Sequence, residues 1–364
     1  VSLLRALDTG GVAYKAVVEA HNTALGEALE YLHTHAGYTR VHNPVSGRKD
    51  LVRLPGLVAA AYQHETSRAG DPHLHTHVLV PNKQARTDGV LVAIDSDALW
   101  HEAKAAGIIY QTVLRQELNA SLGVEWDRVD PHSGMAEIAG VDRAVLTAAS
   151  QRSTQLSAWA SKNLVVDSVG VSAAQLARAQ KATRPRKPEH RPWAELRAEW
   201  AGRFGGELVI DEAAQQRARE QRLAAAAGAV MEWVNAAVAG IDKAAFTRAD
   251  LIEALGAAMP VTIADTDRGP RWVAETLADA VGMRITAERA PHEREGHDRF
   301  TAAPIIAEEQ ALYELIAVRD QRAALPAEAV EPVVEAGGLS ADQGAAIGAI
   351  AKFTTGGKSG RLCS

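Results

Sequence analysis

His64, His75 and His77 stand close enough in sequence to hold one metal ion between them, and imidazole is the commonest metal-binding side chain. They lie in His64-Glu65-Thr66-Ser67-Arg68 and in His73-Leu74-His75-Thr76-His77-Val78. Leu74 to Val80 reads as a strand, where residues two apart share a face. His75 and His77 therefore project together, while Leu74, Thr76 and Val78 face the other way. Leu57 to His64 also has strand character, and Ala69-Gly70-Asp71-Pro72 carries strong turn chemistry. A hairpin folded there sets His64 beside the other two. Such a site leaves coordination positions open, as Lewis-acid chemistry requires. His73, beside Pro72 on the turn, is expected to be solvated or to support the ligands from outside.

The surrounding elements provide a control. Leu32-His33-Thr34-His35 repeats the same alternation, but Val17, Val18, Leu25, Ala28, Leu29 and Leu32 follow a helical period, with Gly37 as a stop. On a helix, residues two apart do not face each other, so His33 and His35 are expected to bind nothing. Only His21 interrupts that apolar stripe. Two other readings compete for the histidine cluster. One is an accidental grouping of ordinary histidines. The other is a cupin-like mononuclear metal enzyme, which wants a glutamate four or five residues after its second histidine, where Pro81 and Asn82 stand. On ligand grounds Zn²⁺, Mn²⁺, Fe and Ni all suit neutral imidazoles.

The run from His64 to Asn82 resembles the three-histidine motif of conjugative relaxases, specifically the large MOBF-type plasmid-transfer relaxase–helicases within the HUH endonucleases. Further segments are similar in the right order: Val1-Ser2-Leu3-Leu4, Ala20-His21-Asn22, Thr39-Arg40, and Ala182 to Lys187 followed by Glu199-Trp200. The resemblance implies an α/β (α+β) domain on an antiparallel sheet. It also implies a DNA strand transferase, in which a tyrosine attacks one phosphodiester at a plasmid transfer origin and leaves a 5′-phosphotyrosyl link and a free 3′-hydroxyl. Mg²⁺ or Mn²⁺, with Zn²⁺ as a further option, would sit on His64, His75 and His77, and Arg68 would help to position the DNA backbone. Single-stranded DNA and other conjugation proteins are the implied partners. Asn82 matches a motif position without an assigned role.

Departures from the pattern matter as much. The family's nucleophilic tyrosines lie near its extreme N-terminus and an activating aspartate just before the segment resembling Val1 to Leu4; neither is found here. None of Tyr14, Tyr31, Tyr38, Tyr62, Tyr110 and Tyr313 matches the nucleophile by position. Tyr62 shares the face of His64 by strand alternation and is expected to be a packed core aromatic. The chain is thus expected to be a fragment lacking its nucleophile and inactive alone in covalent cleavage. The alternative is a non-catalytic fragment that binds single-stranded DNA.

Composition fits an intracellular globular chain. Its 364 residues favour two or three domains. A single cysteine, Cys363, excludes a disulfide framework and suits a reducing cytoplasmic compartment. No apolar run approaches the ~18 residues of a spanning helix. Abundant Ala, Arg and Gly suggest a bacterial source. The net charge of -6 argues against a uniformly basic nucleic-acid binder, so the distribution of charge matters more. Arg178, Lys181, Arg184, Arg186, Lys187 and Arg191 face one acid, Glu189, in a run where Pro185, Pro188 and Pro192 disfavour a regular helix. This run reads either as a solvated linker or, as the resemblance favours, as a basic finger closing over single-stranded DNA through Arg184, Arg186 and Lys187. Trp200 is expected to pack in a helical core.

Downstream, Asp211 to Val238 reads as one long helix. Thr247-Arg248-Ala249-Asp250 has capping-box form, and Trp272 to Val281 gives another helix, together suiting a winged-helix-like connector. Ala287 to Arg299 reads as an exposed loop with solvated His292 and His297. Ser340 and Gln343 open a helix resembling the adenine-reading motif of superfamily 1 helicases, which would make Gln343 a nucleotide contact for ATP. Gly356-Gly357-Lys358-Ser359 fails as a phosphate loop because Lys352 occupies the position that needs glycine. The expected domains are a relaxase at 1–210, a helical connector at 211–335 and a helicase opening at 336–364.

Overall fold

The computed structural model describes residues 1–8, 10–164, 173–185, 191–227, 230–261, 268–317, 327–337 and 340–352. Two long helices build the centre of the first compact unit, Val1–Phe300. Helix α2 (Val12–Ala36, after the short α1 at Ser2–Leu7) buries Val17, Ala20, Ala24, Ala28 and Tyr31, one stripe at spacings of three and four. It stops at Gly37, whose N–H bonds the His33 carbonyl. Helix α3 (Ser96–Leu122) starts at Asp95, whose side chain accepts from the Asp97 N–H, and ends at Gly123 with φ 67°. Ala105, Ile109, Val113 and Leu118 of α3 are buried, and the helix packs against α2.

The chain between them forms antiparallel hairpins: β1 (Tyr38–His42) with β2 (Lys49–Arg53), β3 (Ala60–Thr66) with β4 (Pro72–Leu79), and β5 (Lys83–Ala85) with β6 (Leu91–Ala93). The expected mixture of helix and antiparallel strand is present, although the described strands pair two by two rather than as one continuous sheet. Short helices α4 (Arg143–Ala148), α5 (Gln151–Asn163) and α6 (Ala173–Ala182) precede α7 (Trp193–Phe204). Helices α1 and α7 share a core of Leu3, Ala6, Leu7, Leu196 and Trp200, as expected for Trp200.

The stretch expected to be helical from Asp211 is helical over α8 (Glu212–Ala227) and α9 (Val230–Ala239), and residues 228–229 between them lie outside the described residues. The capping box is formed as expected, opening α10 (Arg248–Ala258), with α11 (Gly269–Val281) beside it. The loop expected to be free in solvent instead docks, because the Pro291 carbonyl accepts from Leu51 N–H of β2, at 2.8 Å. His292 contacts Arg48 and is half-buried, while His297 is exposed. The division between compact units falls after Phe300, whereas sequence places boundaries at 210 and 335. The second unit, Thr301–Ser364, contains α12 (Ala303–Ala317), α13 (Ala327–Ala336) and α14 (Ala341–Lys352). No helix among the described residues is long and apolar enough to cross a membrane.

Candidate metal centre

The hairpin β3–β4 sets His64 directly opposite His75 and Tyr62 opposite His77. Pleat alternation then places all three histidines on one face. One ring nitrogen from each of His64, His75 and His77 lies within 4.8 Å of the others. Ring centroids are 5.2 Å apart for His64 and His75, 4.8 Å for His64 and His77, and 5.1 Å for His75 and His77. His75 Nδ1 is 2.9 Å from the His73 carbonyl, so Nδ1 carries the proton and Nε2 keeps its lone pair for a ligand. That donor set fits a divalent transition-type cation. His73 is not on the turn: it belongs to β4 and stacks on His75 with centroids 4.6 Å apart. His33 and His35 stay on α2, where His35 Nε2 meets Glu275 at 3.0 Å.

The turn that brings the ligands together is held from several sides. Gly70 adopts φ 81°, a left-handed conformation that glycine enters without steric cost. Its carbonyl accepts from the indole N–H of the fully buried Trp200, at 2.9 Å. Asp71, also buried, takes bonds from Gln151 at 3.0 Å and Arg203 at 3.1 Å. Sequence reading missed this second use of Trp200, since a core tryptophan shows no sign of where its N–H points.

Behind the hairpin lie charged and polar groups. Arg5, only 2% exposed, pairs with Glu65 of β3 and is held between the rings of Tyr14 and Trp193, 4.5 and 4.4 Å from their centroids. His21 is 3% exposed; its Nε2 lies 2.7 Å from Thr76 Oγ1 and its Nδ1 2.6 Å from the Tyr110 hydroxyl. Burial, and next the charge of Arg5, pushes the His21 pKa down. Burial pushes Tyr110 up to about 12, so its hydroxyl stays protonated. His21 was legible only as a break in an apolar stripe; its partners were not.

Other expected site residues separate into groups. Arg68 Nη1 bonds the Pro185 carbonyl at 3.2 Å, which brings the histidine turn to the start of the basic run. Arg184 is exposed; Arg178 and Lys181 belong to α6, which ends before Pro185. Arg186 and Lys187 lie outside the described residues. Tyr62 is 54% exposed, not packed in a core, because nothing among the described residues covers the histidine face at that point. Gln343 closes a capping box at α14, its Oε1 accepting from Ser340 N–H at 3.0 Å. The rejected Gly356 to Ser359 stretch lies outside the described residues.

The paired strands β3 and β4 thus present three converging imidazoles, a donor set that could hold a metal ion. Residues 1–205 match the TrwC relaxase family, and the chain belongs to that family. The multifunctional conjugation protein TraI of Escherichia coli is 32% identical over 258 residues, 65% of this chain and 14% of TraI. TraI of strain K12 is 32% identical over 146 residues, 38% of this chain and 8% of that protein. This chain thus spans a small part of those relatives' length. Among solved structures, the conjugative relaxase TrwC in a copper-bound complex with oriT DNA is 29% identical, with a TM-score of 0.49 over 58% of this chain and 68% of that one. TrwC complexed with a 27-mer DNA comprising the recognition hairpin and the cleavage site is 28% identical, with a TM-score of 0.49 over 58% of this chain and 72% of that one.

Proposed function

We propose that residues 1–210 serve a conjugation protein as its relaxase domain, handling one phosphodiester of single-stranded DNA at a plasmid transfer origin. The observation that carries this reading is the convergence of His64, His75 and His77 inside the segment that matches the relaxase family. These residues would hold Mg²⁺ or Mn²⁺, and Zn²⁺ also suits the donor set. When bound, the cation supplies neutralisation of charge developing on the non-bridging phosphate oxygens. The chain's own groups do the rest. His73 fixes the His75 tautomer through its carbonyl. Arg68, Arg184, Arg186 and Lys187 are assigned to the DNA backbone, and the Arg68–Pro185 bond supports that grouping.

In the reaction assigned to the whole protein, a tyrosine oxygen bonds to phosphorus as the 3′-oxygen leaves, and the reverse step reseals the strand. No tyrosine of this chain matches the family nucleophile, so the part we assign to it is holding the phosphate. We further assign 211–335 as a connector and 336–364 as the opening of a superfamily 1 helicase region in a cytoplasmic bacterial protein. There Gln343 is the candidate adenine contact for ATP, a role that requires its amide to leave the cap with Ser340.

Calorimetry with Mn²⁺ tests the metal assignment. The His75→Ala/His77→Ala variant should lose stoichiometric binding, while His33→Ala/His35→Ala should bind as the wild type does. Equal loss from both pairs would sink the assignment.

A further inference from the structure

We infer that His21 is a positioning residue for the metal centre, acting through Thr76 to fix the strand segment that carries His75 and His77. The inference rests on the metal reading above. Thr76 is the residue between the two ligands, and its side chain leaves the opposite face of β4. Its hydroxyl lies 2.7 Å from His21 Nε2, and His21 in turn is tied by Nδ1 to the Tyr110 hydroxyl at 2.6 Å. The result is a bridge from α3 through α2 into the middle of the His-x-His pair.

A two-stranded hairpin is marginally stable alone, and its twist is free unless something anchors a face. The ligand face of β3–β4 faces outward at Tyr62 and His77, so the anchors must lie behind. Two other bonds reach that back side, from Leu74 N–H to Ser2 Oγ at 3.1 Å and from Arg5 to Glu65. Neither touches the residue between the ligands; the His21 bond does. A change in the pleat at Thr76 would turn the His75 and His77 side chains apart, which a three-point donor set does not tolerate.

The proton count is satisfied on both sides of the ring. Tyr110 keeps its proton, with a pKa near 12. One ring nitrogen of neutral His21 donates and the other accepts, and the Tyr110 and Thr76 hydroxyls, each able to do either, turn to match. A neutral His21 suits both bonds, in line with the downward push of burial and Arg5 on its pKa.

The test uses the 364-residue chain, Mn²⁺ calorimetry and the visible spectrum of Co²⁺, which reports ligand geometry. Thr76→Val keeps shape and removes the hydroxyl, Tyr110→Phe removes only the distal link, and His21→Leu removes the bridge. His21→Gln should restore the bond, since its amide can reach the Nε2 position. Loss of a group bonded directly to a metal ligand commonly costs about 10–100-fold in metal affinity, and His21 acts one residue further out, so the low end of that range applies. We expect Thr76→Val and His21→Leu to weaken Mn²⁺ binding by roughly tenfold and to alter the Co²⁺ bands. Tyr110→Phe should do less, and His21→Gln should recover most of the loss, all with far-ultraviolet circular dichroism unchanged. If these variants bind like the wild type while His75→Ala/His77→Ala does not bind, the His21 inference is overturned and the metal assignment stands. If the wild type itself takes up no Mn²⁺ or Co²⁺, both fall.

Discussion

Burial and the nearby Arg5 charge disfavour the protonated form of His21 in the folded chain, whereas in the unfolded chain it titrates near its ordinary value of about 6.5. The sign follows from proton counting. Between the lowered folded value and about 6.5 the unfolded state binds a proton that the folded state refuses, so stability rises with pH there. The contribution is fully present above about pH 6.5 and is lost as pH falls through the folded value. The other groups facing His21 are Glu65 from β3, His75 from β4 and Tyr110 from α3. Urea denaturation at pH 7.5 and 5.0 should show wild type losing more stability on acidification than His21→Gln. Equal losses in the two proteins would show that His21 does not set this dependence. At this scale the ligands were legible because a strand has period two and His75 and His77 obey it. The bridge was not: Thr76 and Tyr110 stand 55 and 89 positions from His21, and nothing in local pattern joins them. The exposure of Tyr62 was equally hidden, since alternation says which face a residue takes but not whether that face is covered.

Among elements, the hairpin β3–β4 and the basic segment after α6 are joined where Arg68 meets Pro185, and Arg152 of α5 supports the same junction through the carbonyl of Thr183, at 2.7 Å. That junction ties the backbone at Thr183 and Pro185, on either side of Arg184, to α5 and to the ligand-bearing hairpin. If the charges of the basic run contact phosphates, each lost contact should reduce the slope of log affinity against log salt by roughly 0.7 for single-stranded DNA. Fluorescence anisotropy with Arg184→Ala, Arg186→Ala and Lys187→Ala combined should therefore give a shallower slope than the wild type. A slope unchanged by the triple substitution would mark the run as a solvated linker. Element ends were read well where local chemistry sets them. Gly37 stops α2, and Thr247 with Asp250 opens α10, because caps involve neighbours in sequence. Docking of the 287–299 loop on β2 was not read, because a run of charges looks solvated until the pairs it makes are known. Arg294 with Asp97, at 2.7 Å, is one such pair.

At the scale of the molecule, α10 and α11 belong to the same compact unit as the ligand-bearing hairpin, although sequence reading separated them at residue 210. Ion pairs join the two parts, such as Arg271 with Glu27 at 2.6 Å and Lys104 with Glu253 at 2.5 Å, but partly exposed pairs contribute little on their own. Close helix packing contributes more. At Gly256 α10 approaches α3 so nearly that an added Cβ would lie 2.7 Å from Cγ2 of the buried Ile108. The Gly256 carbonyl also accepts from Thr112 Oγ1 at 2.8 Å. Gly256→Val should therefore overpack this crossing and cost about 1–3 kcal/mol. Metal binding to the folded state raises the melting temperature of whichever unit contains the site. If α10 and the hairpin unfold together, the calorimetric transition that Mn²⁺ shifts upward is the one that Gly256→Val shifts downward. A metal-sensitive transition left in place by Gly256→Val, with a second transition moving alone, would show that the 212–300 segment unfolds independently of the metal centre.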